Sequence, residues 1–267
     1  MKRYFSFPLA LSFILIISSC TKSNIEPEPS IPYQKIGEGY ATGAATKVEL
    51  YAKQGLTTGY NTIYISLSDS ASKQAIENAQ ITLHPLMDMG TMKHASPVEN
   101  PASAATNKLF ASGIVFTMPS GNMGTWTVDV AVEHGGKKGK ATVPLSVTEP
   151  GKSRLKSFVS TADNSKFIVA LLQPDAPKVG VNDMEIAIYK VKNGMEYTAD
   201  SSLTVTLTPE MPAMGHGSPN NVDPTHTTKG HYKGKVNFTM TGLWHLNLQF
   251  KAGDAIADNS THFEINF

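Results

Sequence analysis

Two matching stretches decide the fold. Residues 126–132 read Trp-Thr-Val-Asp-Val-Ala-Val, and residues 244–250 read Trp-His-Leu-Asn-Leu-Gln-Phe. Apolar and polar side chains alternate in both, which is typical of a strand that buries one face. Similar short runs occur at residues 48–51, 62–67, 80–83, 166–171, 185–189 and 203–207. No stretch after the N-terminal segment has a convincing helical period, so the sequence predicts an all-β protein.

These runs belong to an internal repeat. The matched positions, all 122 residues apart, are Met89 and Met211, Met92 and Met214, His94 and His216, and the tripeptides Phe-Thr-Met at 116–118 and 238–240. Each half holds about seven strand-like runs in roughly a hundred residues, the size of an immunoglobulin-like sandwich. The sequence therefore predicts two tandem immunoglobulin-like β-sandwich domains, over residues 45–148 and 154–267.

Composition narrows the class of protein. The chain has 267 residues, of which 40% are hydrophobic and 17% charged, enough apolar material for a packed core. Lys and Arg total 23 against 22 for Asp and Glu, for a net charge of +1. A nucleic-acid-binding domain normally carries a basic excess, so no nucleic-acid partner is expected. The chain has one cysteine, which excludes an internal disulfide framework and a cysteine-based zinc site.

The N-terminus has the parts of an export signal in order. Lys2 and Arg3 precede an apolar stretch over residues 5–17, and Ile17-Ser18-Ser19-Cys20 follows. This arrangement resembles the bacterial lipobox, which implies a signal peptide over residues 1–19, acylation of Cys20 and an extended tether over residues 20–44. An ordinary signal peptide or a short membrane anchor is the alternative. We therefore expect a cell-envelope protein that is lipid-anchored to a bacterial membrane and faces the periplasm or the cell surface.

Methionines are concentrated in the repeated loop. Five of them fall within residues 87–92 and 211–214, although loops normally hold polar residues. Thioether sulfur combined with imidazole suits Cu(I) better than hard ions or zinc. The candidate copper ligands are Met211, Met214, His216, His226 and His231 in the second repeat and, as a weaker set, Met87, Met89, Met92 and His94 in the first. The second repeat offers more imidazoles, so we expect it to hold the stronger site.

A packing role for these loops is the main alternative. Methionine fills irregular gaps well, so the loops could instead plug the open end of each sandwich or face a partner. Met118 and Met240 are expected in the core. The remaining histidines, which show no partner pattern, are expected to be ordinary surface or hydrogen-bonded residues: His84, His134, His245 and His262. No nucleophile, phosphate-loop or metalloprotease motif is present, so we expect a non-catalytic protein.

The second repeat resembles a known protein family. Met211-Pro212-Ala213-Met214-Gly215-His216, the strand that starts at His231-Tyr232, and Gly242-Leu243-Trp244 resemble the YtkA-like domain, which is related to FixH-like proteins. The first repeat is a degenerate version: it lacks the proline and has Ala104 and Leu109 in place of His226 and His231.

The resemblance implies a small β-sandwich outside the cytoplasm, in a family often linked with copper handling or cytochrome oxidase maturation. A copper-trafficking, efflux or oxidase-assembly protein would then be the partner. The competing hypothesis is a non-catalytic structural or adhesive module that binds a protein or a glycan.

Overall fold

The computed structural model describes Met1 and residues 31–122, 124–192 and 195–267. The predicted signal peptide, Cys20 and the start of the predicted tether lie outside the described residues. Over the described part of the chain the elements are strands apart from one 3-10 turn at Thr42–Ala44. The all-β prediction is confirmed. Among the same residues, no helix has both the length and the apolar character needed to cross a membrane.

Two facing sheets and a small two-stranded ladder form the first sandwich. Its strands are β1 (Gln34–Ala41), β2 (Thr46–Ala52), β3 (Leu56–Thr57), β4 (Gly59–Asp69), β5 (Gln80–Asp88), β6 (Lys93–Ala95), β7 (Val98–Glu99), β8 (Phe110–Phe116), β9 (Thr125–His134), β10 (Lys137–Leu145) and β11 (Val147–Thr148). One sheet has the order β1-β2-β4-β8-β7 and the other β10-β9-β5-β6, while β3 pairs with β11 in parallel. Side chains from both sheets share one apolar core.

The second sandwich repeats this plan. Its strands are β12 (Leu155–Val159), β13 (Lys166–Gln173), β14 (Gly180–Val191), β15 (Tyr197–Ala199), β16 (Leu203–Met211), β17 (His216–Gly217), β18 (Val222–Thr228), β19 (His231–Phe238), β20 (Leu243–Ala252), β21 (Ala255–Asp258) and β22 (His262–Asn266). One sheet runs β12-β13-β14-β19-β18, with β15 also on β14. The other runs β17-β16-β20-β21, with β22 also on β20. A second apolar core lies between these two sheets.

Each core is built around a tryptophan. Trp126 and Trp244 are fully buried, and each ring lies against a phenylalanine, with centroids 5.1 Å from Phe116 and 5.5 Å from Phe238. The indole N–H donates to the carbonyl of Met118 at 2.9 Å and of Met240 at 3.0 Å. A buried indole needs such a partner. The repeated Phe-Thr-Met tripeptide therefore supplies both a core ring and the acceptor for the tryptophan.

A second repeated feature, an asparagine side chain that hydrogen-bonds the preceding backbone, lies at the start of β4 and β14. Asn61 Nδ2 donates to the carbonyls of Thr57 and Gly59, and Asn182 Nδ2 donates to those of Lys178 and Gly180. Gly59 has a φ of +104° and Gly180 a φ of +100°, a backbone conformation that residues other than glycine rarely adopt. The sequence comparison missed this Gly-x-Asn pair, although it supports the same internal duplication.

Two sequence predictions are wrong in detail. The sequence predicts a tether over residues 20–44, but residues 34–41 form β1, which pairs with β2 from Gln34 to Ala41. This strand shows no apolar alternation because Gly37 and Gly39 occupy its inward positions, where a Cβ would crowd the side chain of Val143. Met240 was expected in the core but is 40% exposed, because only its carbonyl faces the tryptophan.

The two sandwiches pack against each other through their large sheets. An apolar cluster joins Val115 of β8 to Ile168 and Ala170 of β13 and to Ala187 and Tyr189 of β14. Arg154, in the segment between the sandwiches, donates hydrogen bonds to the carbonyls of residues 171, 172 and 174 of the second sandwich. Apolar side chains of β8, β13 and β14 therefore form part of the contact between the sandwiches.

Candidate functional site

The repeated Met/His loop of the second sandwich is a tight hairpin between β16 and β17. Met211 lies opposite His216 in the ladder. The backbone N–H groups of Met214 and Gly215 close the turn by donating to the carbonyl of Met211, at 3.1 and 3.0 Å. Gly215 has a φ of +62°, which favours glycine at this position. The hairpin thus holds Met211, Met214 and His216 within one short turn.

These three side chains differ in exposure. Met211 is only 4% exposed and belongs to the second core, whereas Met214 is 61% exposed. His216 is half-buried, and its ring meets the Trp244 ring edge-on at a centroid distance of 5.9 Å. Its Nδ1 lies 2.9 Å from the carbonyl of Gly217. An imidazole held in this way presents Nε2 as its ligand atom, the orientation that carbonyl partners give to metal-binding histidines.

The first sandwich carries an equivalent hairpin between β5 and β6. Met87 lies opposite His94 on one side and opposite Trp126 on the other, and it is fully buried. Met92 is 56% exposed at the turn, like Met214. Met89 is partly buried and packs on the first core beside the turn.

The structure corrects the alignment of the repeat at this point. Sequence spacing matched Met89 with Met211, but the ladder makes Met87 the counterpart of Met211, because each lies opposite the histidine of its hairpin. The first turn is two residues longer, and this insertion displaced the sequence match. Each hairpin consequently offers one buried methionine, one exposed methionine and one half-buried histidine, and the first hairpin has the partly buried Met89 in addition.

His226 and His231 do not join this group. His231 begins β19 and Phe238 ends it, so the two residues are separated by about 23 Å of extended chain. Phe238 packs on Trp244, the ring that His216 also contacts. His226 is exposed on β18, with its ring 5.4 Å from that of Tyr232. The prediction that these two histidines complete one site with Met211 is wrong, and the imidazole count no longer favours the second sandwich.

His231 instead bridges the two sandwiches. Its Nδ1 lies 2.7 Å from Glu185 of β14, and its Nε2 lies 2.8 Å from Glu99 of the first sandwich. Tyr189 donates its hydroxyl to the same Glu99 at 2.6 Å, and the Tyr60 ring meets the His231 ring edge-on at 5.5 Å. Both imidazole nitrogens are occupied, which excludes His231 as a metal ligand in this arrangement.

Hydrogen bonds within this bridge shift the pKa values of its side chains. Burial by itself would lower the pKa of His231, but hydrogen bonds to Glu99 and Glu185 outweigh burial and raise it. Burial would raise the pKa of Glu99, but hydrogen bonds from His231 and Tyr189 lower it. Burial, reinforced by the Glu99 carboxylate, raises the pKa of Tyr189, so its hydroxyl stays a donor. The hydrogen bonds to Glu99 and Glu185 therefore favour the protonated imidazole of His231.

Other polar groups gather away from the hairpins. His245 and His262, which the sequence did not connect, stack at a centroid distance of 4.6 Å on the outer face of the second sandwich. A cleft lined by His84, Ser96 and Asp129 of the first sandwich and Glu196 of the second lies elsewhere. Within the described residues the buried hydroxyl of Ser96 has no hydrogen-bond partner. These features were not visible in sequence because the residues that form them lie far apart along the chain.

Comparisons with known proteins give two distant structural similarities and one family match. No curated protein matches the chain. Among solved structures, the Escherichia coli adhesin FdeC is 14% identical with a TM-score of 0.28, and the match covers 84% of this chain and 64% of the FdeC chain. Domains 5–6 of the S-layer protein SbsC are 11% identical with a TM-score of 0.27, and the match covers 87% of this chain and 99% of that one.

A family model matches part of the second sandwich. The YtkA-like family model matches residues 161–249. This segment includes the hairpin with Met211, Met214 and His216 and the Trp244 strand that packs beneath it. The resemblance of the second repeat to the YtkA-like domain is confirmed for this segment of the chain.

Proposed function

We propose that this chain is a cell-envelope lipoprotein that binds Cu(I) as cargo through the Met/His hairpins of its two sandwiches. The observation that carries the proposal is the repeated arrangement of Met211, Met214 and His216. Each hairpin sets a buried methionine opposite a half-buried histidine and leaves a second methionine exposed at the turn. Two copies of the same donor set suit a soft monovalent ion.

The exposed methionine suits the transfer of copper. Met214 is 61% exposed although burial would favour a thioether, so this side chain is available to an incoming ion or to a partner that delivers it. Thioether ligands are neutral and do not form disulfides, which fits an oxidising compartment outside the cytoplasm. The order of events is entry at Met214, followed by capture at His216 and, from the core side, Met211.

A competition titration with a coloured Cu(I) chelator tests the proposal. The test variant is Met211→Leu, Met214→Leu and His216→Ala in one chain, since leucine preserves the volume of the buried methionine. The matched control is Met240→Leu with His226→Ala, which removes an exposed methionine and an exposed histidine outside the hairpin.

Wild type and control should withdraw two Cu(I) ions from the chelator, and the test variant should withdraw one. Equal copper uptake by all three folded proteins would overturn the proposal. A test variant that unfolds in urea at a lower concentration would instead favour the packing role of Met211.

The envelope location rests on Cys20 and is tested separately. Wild-type cells labelled with a fatty-acid analogue should show a labelled protein, and Cys20→Ser should abolish the label. An unlabelled wild-type protein would contradict lipid anchoring and would leave the copper titration unaffected.

A second candidate function is a binding module for a protein or a glycan. The cleft between the two sandwiches favours it, because polar side chains such as His84 and Asp129 line it beside apolar ones such as Leu83 and Val98. A photoreactive residue in place of the exposed His84 would capture the partner in cells. Failure to crosslink, combined with copper binding, would reject this candidate.

A further inference from the structure

A group of metal-ligand side chains lies on the outer face of the second sandwich, away from the hairpin donors. The ladder between β20 and β22 sets His245 opposite Glu264 and Asn247 opposite His262. Because alternate residues share a face, His245, His262 and Glu264 all point outward, and each is half-buried. One ligand atom from each of the three lies within 4.8 Å of the others. We call this group the outer His–His–Glu cluster.

The surroundings of the cluster favour a cation. Glu210 of β16 lies opposite His245 on the other side, where it accepts a hydrogen bond from Asn247 Nδ2 at 3.2 Å. Glu264 pairs with the ammonium of Lys152. The cluster thus contains two imidazoles and a carboxyl group, with a second carboxyl group nearby and one lysine that a metal ion would displace.

We propose that His245, His262 and Glu264 bind a divalent transition-metal ion, with zinc as the best match. Two imidazoles and one carboxylate form a common three-residue zinc ligand set, which leaves a fourth position for water. Bonds of about 2.0–2.2 Å in a tetrahedral site place ligand atoms about 3.3 Å apart. The present spacing reaches this value through small side-chain rotations on strands that stay in place. The cluster has no thioether, so its preference is opposite to that of the hairpins.

The proposal rests on a feature that the first sandwich lacks. The two ladders can be aligned on their tryptophans, because Trp126 lies opposite Leu145 and Trp244 lies opposite Ile265. In this alignment the first sandwich has Thr127 at the position of His245, Thr142 at that of His262 and Pro144 at that of Glu264. None of these three can complete such a ligand set. His262 and Glu264 also lie beyond residue 249, where the YtkA-like match ends. The cluster is consequently specific to the second sandwich and independent of the copper proposal.

Titration of the full chain with ZnCl₂ in a calorimeter tests the site. Wild type should bind one zinc ion, and His245→Ala or His262→Ala should weaken binding at least 100-fold, since each removes a direct ligand. Glu264→Gln should weaken it at least tenfold, while Lys152→Ala should tighten it several-fold by removing the competing ammonium. The controls are His226→Ala and the hairpin variant that removes Met211, Met214 and His216, and both should bind zinc as wild type does.

Imidazole ¹⁵N NMR of the wild-type chain provides a measurement without any substitution. On addition of ZnCl₂, the ring nitrogens of His245 and His262 should show the shifts of metal coordination, while those of His84 should not. Zinc binding that persists in the double variant of His245 and His262, shifts confined to other histidines, or no zinc binding to wild type would each overturn the proposal. Loss of one of the two Cu(I) ions in the hairpin variant, with zinc binding intact, would separate the two sites.

Discussion

The two sandwiches have nearly the same interior and different exteriors. Inside, each has a tryptophan against a phenylalanine, an asparagine that holds a left-handed glycine, and a methionine opposite a histidine. Outside, the second sandwich carries two histidines and a glutamate where the first has two threonines and a proline. Packing constrains the inward positions of a duplicated fold, whereas the outward positions are free to acquire different chemistry.

The largest expected effect tests whether the two cores are equivalent. Trp126→Ala and Trp244→Ala should each lower the free energy of unfolding by about 3–5 kcal/mol, because each empties a closed core and orphans a carbonyl acceptor. Urea unfolding followed by circular dichroism measures this loss. The Trp244→Phe variant keeps most of the apolar ring, so it should lose clearly less stability than Trp244→Ala. A loss of stability in only one of the two variants would contradict the equivalence of the two cores.

The bridge between the sandwiches should show the next largest effect. His231→Gln removes the charge between Glu99 and Glu185 and should lower the free energy of unfolding by about 2 kcal/mol near pH 6. Because the pKa of His231 is raised above 6.5 by folding, its contribution is complete below that pH and is lost as pH rises through the raised pKa. The pKa of Glu99 is lowered from 4.5, so its contribution is complete above that pH and is lost as pH falls through the lowered pKa.

The bridge is therefore strongest between about pH 4.5 and about pH 6.5. Urea unfolding of wild type and His231→Gln across about pH 5 to about pH 9 should show the two curves converging on the alkaline side. Replacing the exposed His226 by Gln is the matched control and should leave the pH profile unchanged. A difference between wild type and His231→Gln that grows with pH would contradict the bridge.

The repeated asparagines should have equal and smaller effects. Asn61→Ala and Asn182→Ala each remove three hydrogen bonds to the backbone that precedes a long strand. We expect each variant to lose about 1–2 kcal/mol, since part of the lost bonding is replaced by water. Chemical denaturation gives the values. Unequal losses would show that one copy of the device has taken on a different role.

The smallest expected difference concerns copper. Once His226 and His231 are excluded, the two hairpins share a buried methionine, an exposed methionine and a half-buried histidine, and the first adds only the partly buried Met89, so their Cu(I) affinities should agree within about tenfold. Met92→Leu and Met214→Leu each alter an exposed side chain, so neither should change stability measurably. Each substitution should weaken the binding of one of the two copper ions in the chelator competition. A chain that binds a single ion would restore the asymmetry that ligand counting first predicted.

Period-two alternation was enough to predict many of the strands, because it reports which face of a strand is buried, and the constant offset of 122 residues predicted the duplication. Alternation failed at β1, where Gly37 and Gly39 occupy inward positions, and the offset failed at the first hairpin, where two extra residues shifted the match from Met87 to Met89. Contacts between distant strands were invisible. Glu99 lies 132 residues before His231, and the pairing of His245 with His262 requires the register of β20 against β22. Donor types were readable from sequence, but their grouping was not.

The most direct test of copper binding labels the methionine methyl groups with ¹³C and titrates the chain with Cu(I). The account predicts that the methyl resonances of Met211 and Met214 shift together with those of Met87 and Met92, up to two ions per chain. Met184, buried elsewhere in the second core, and Met240, exposed outside the hairpins, should not shift. Shifts shared by all exposed methionines, or none at Met211 and Met214, would contradict the copper proposal.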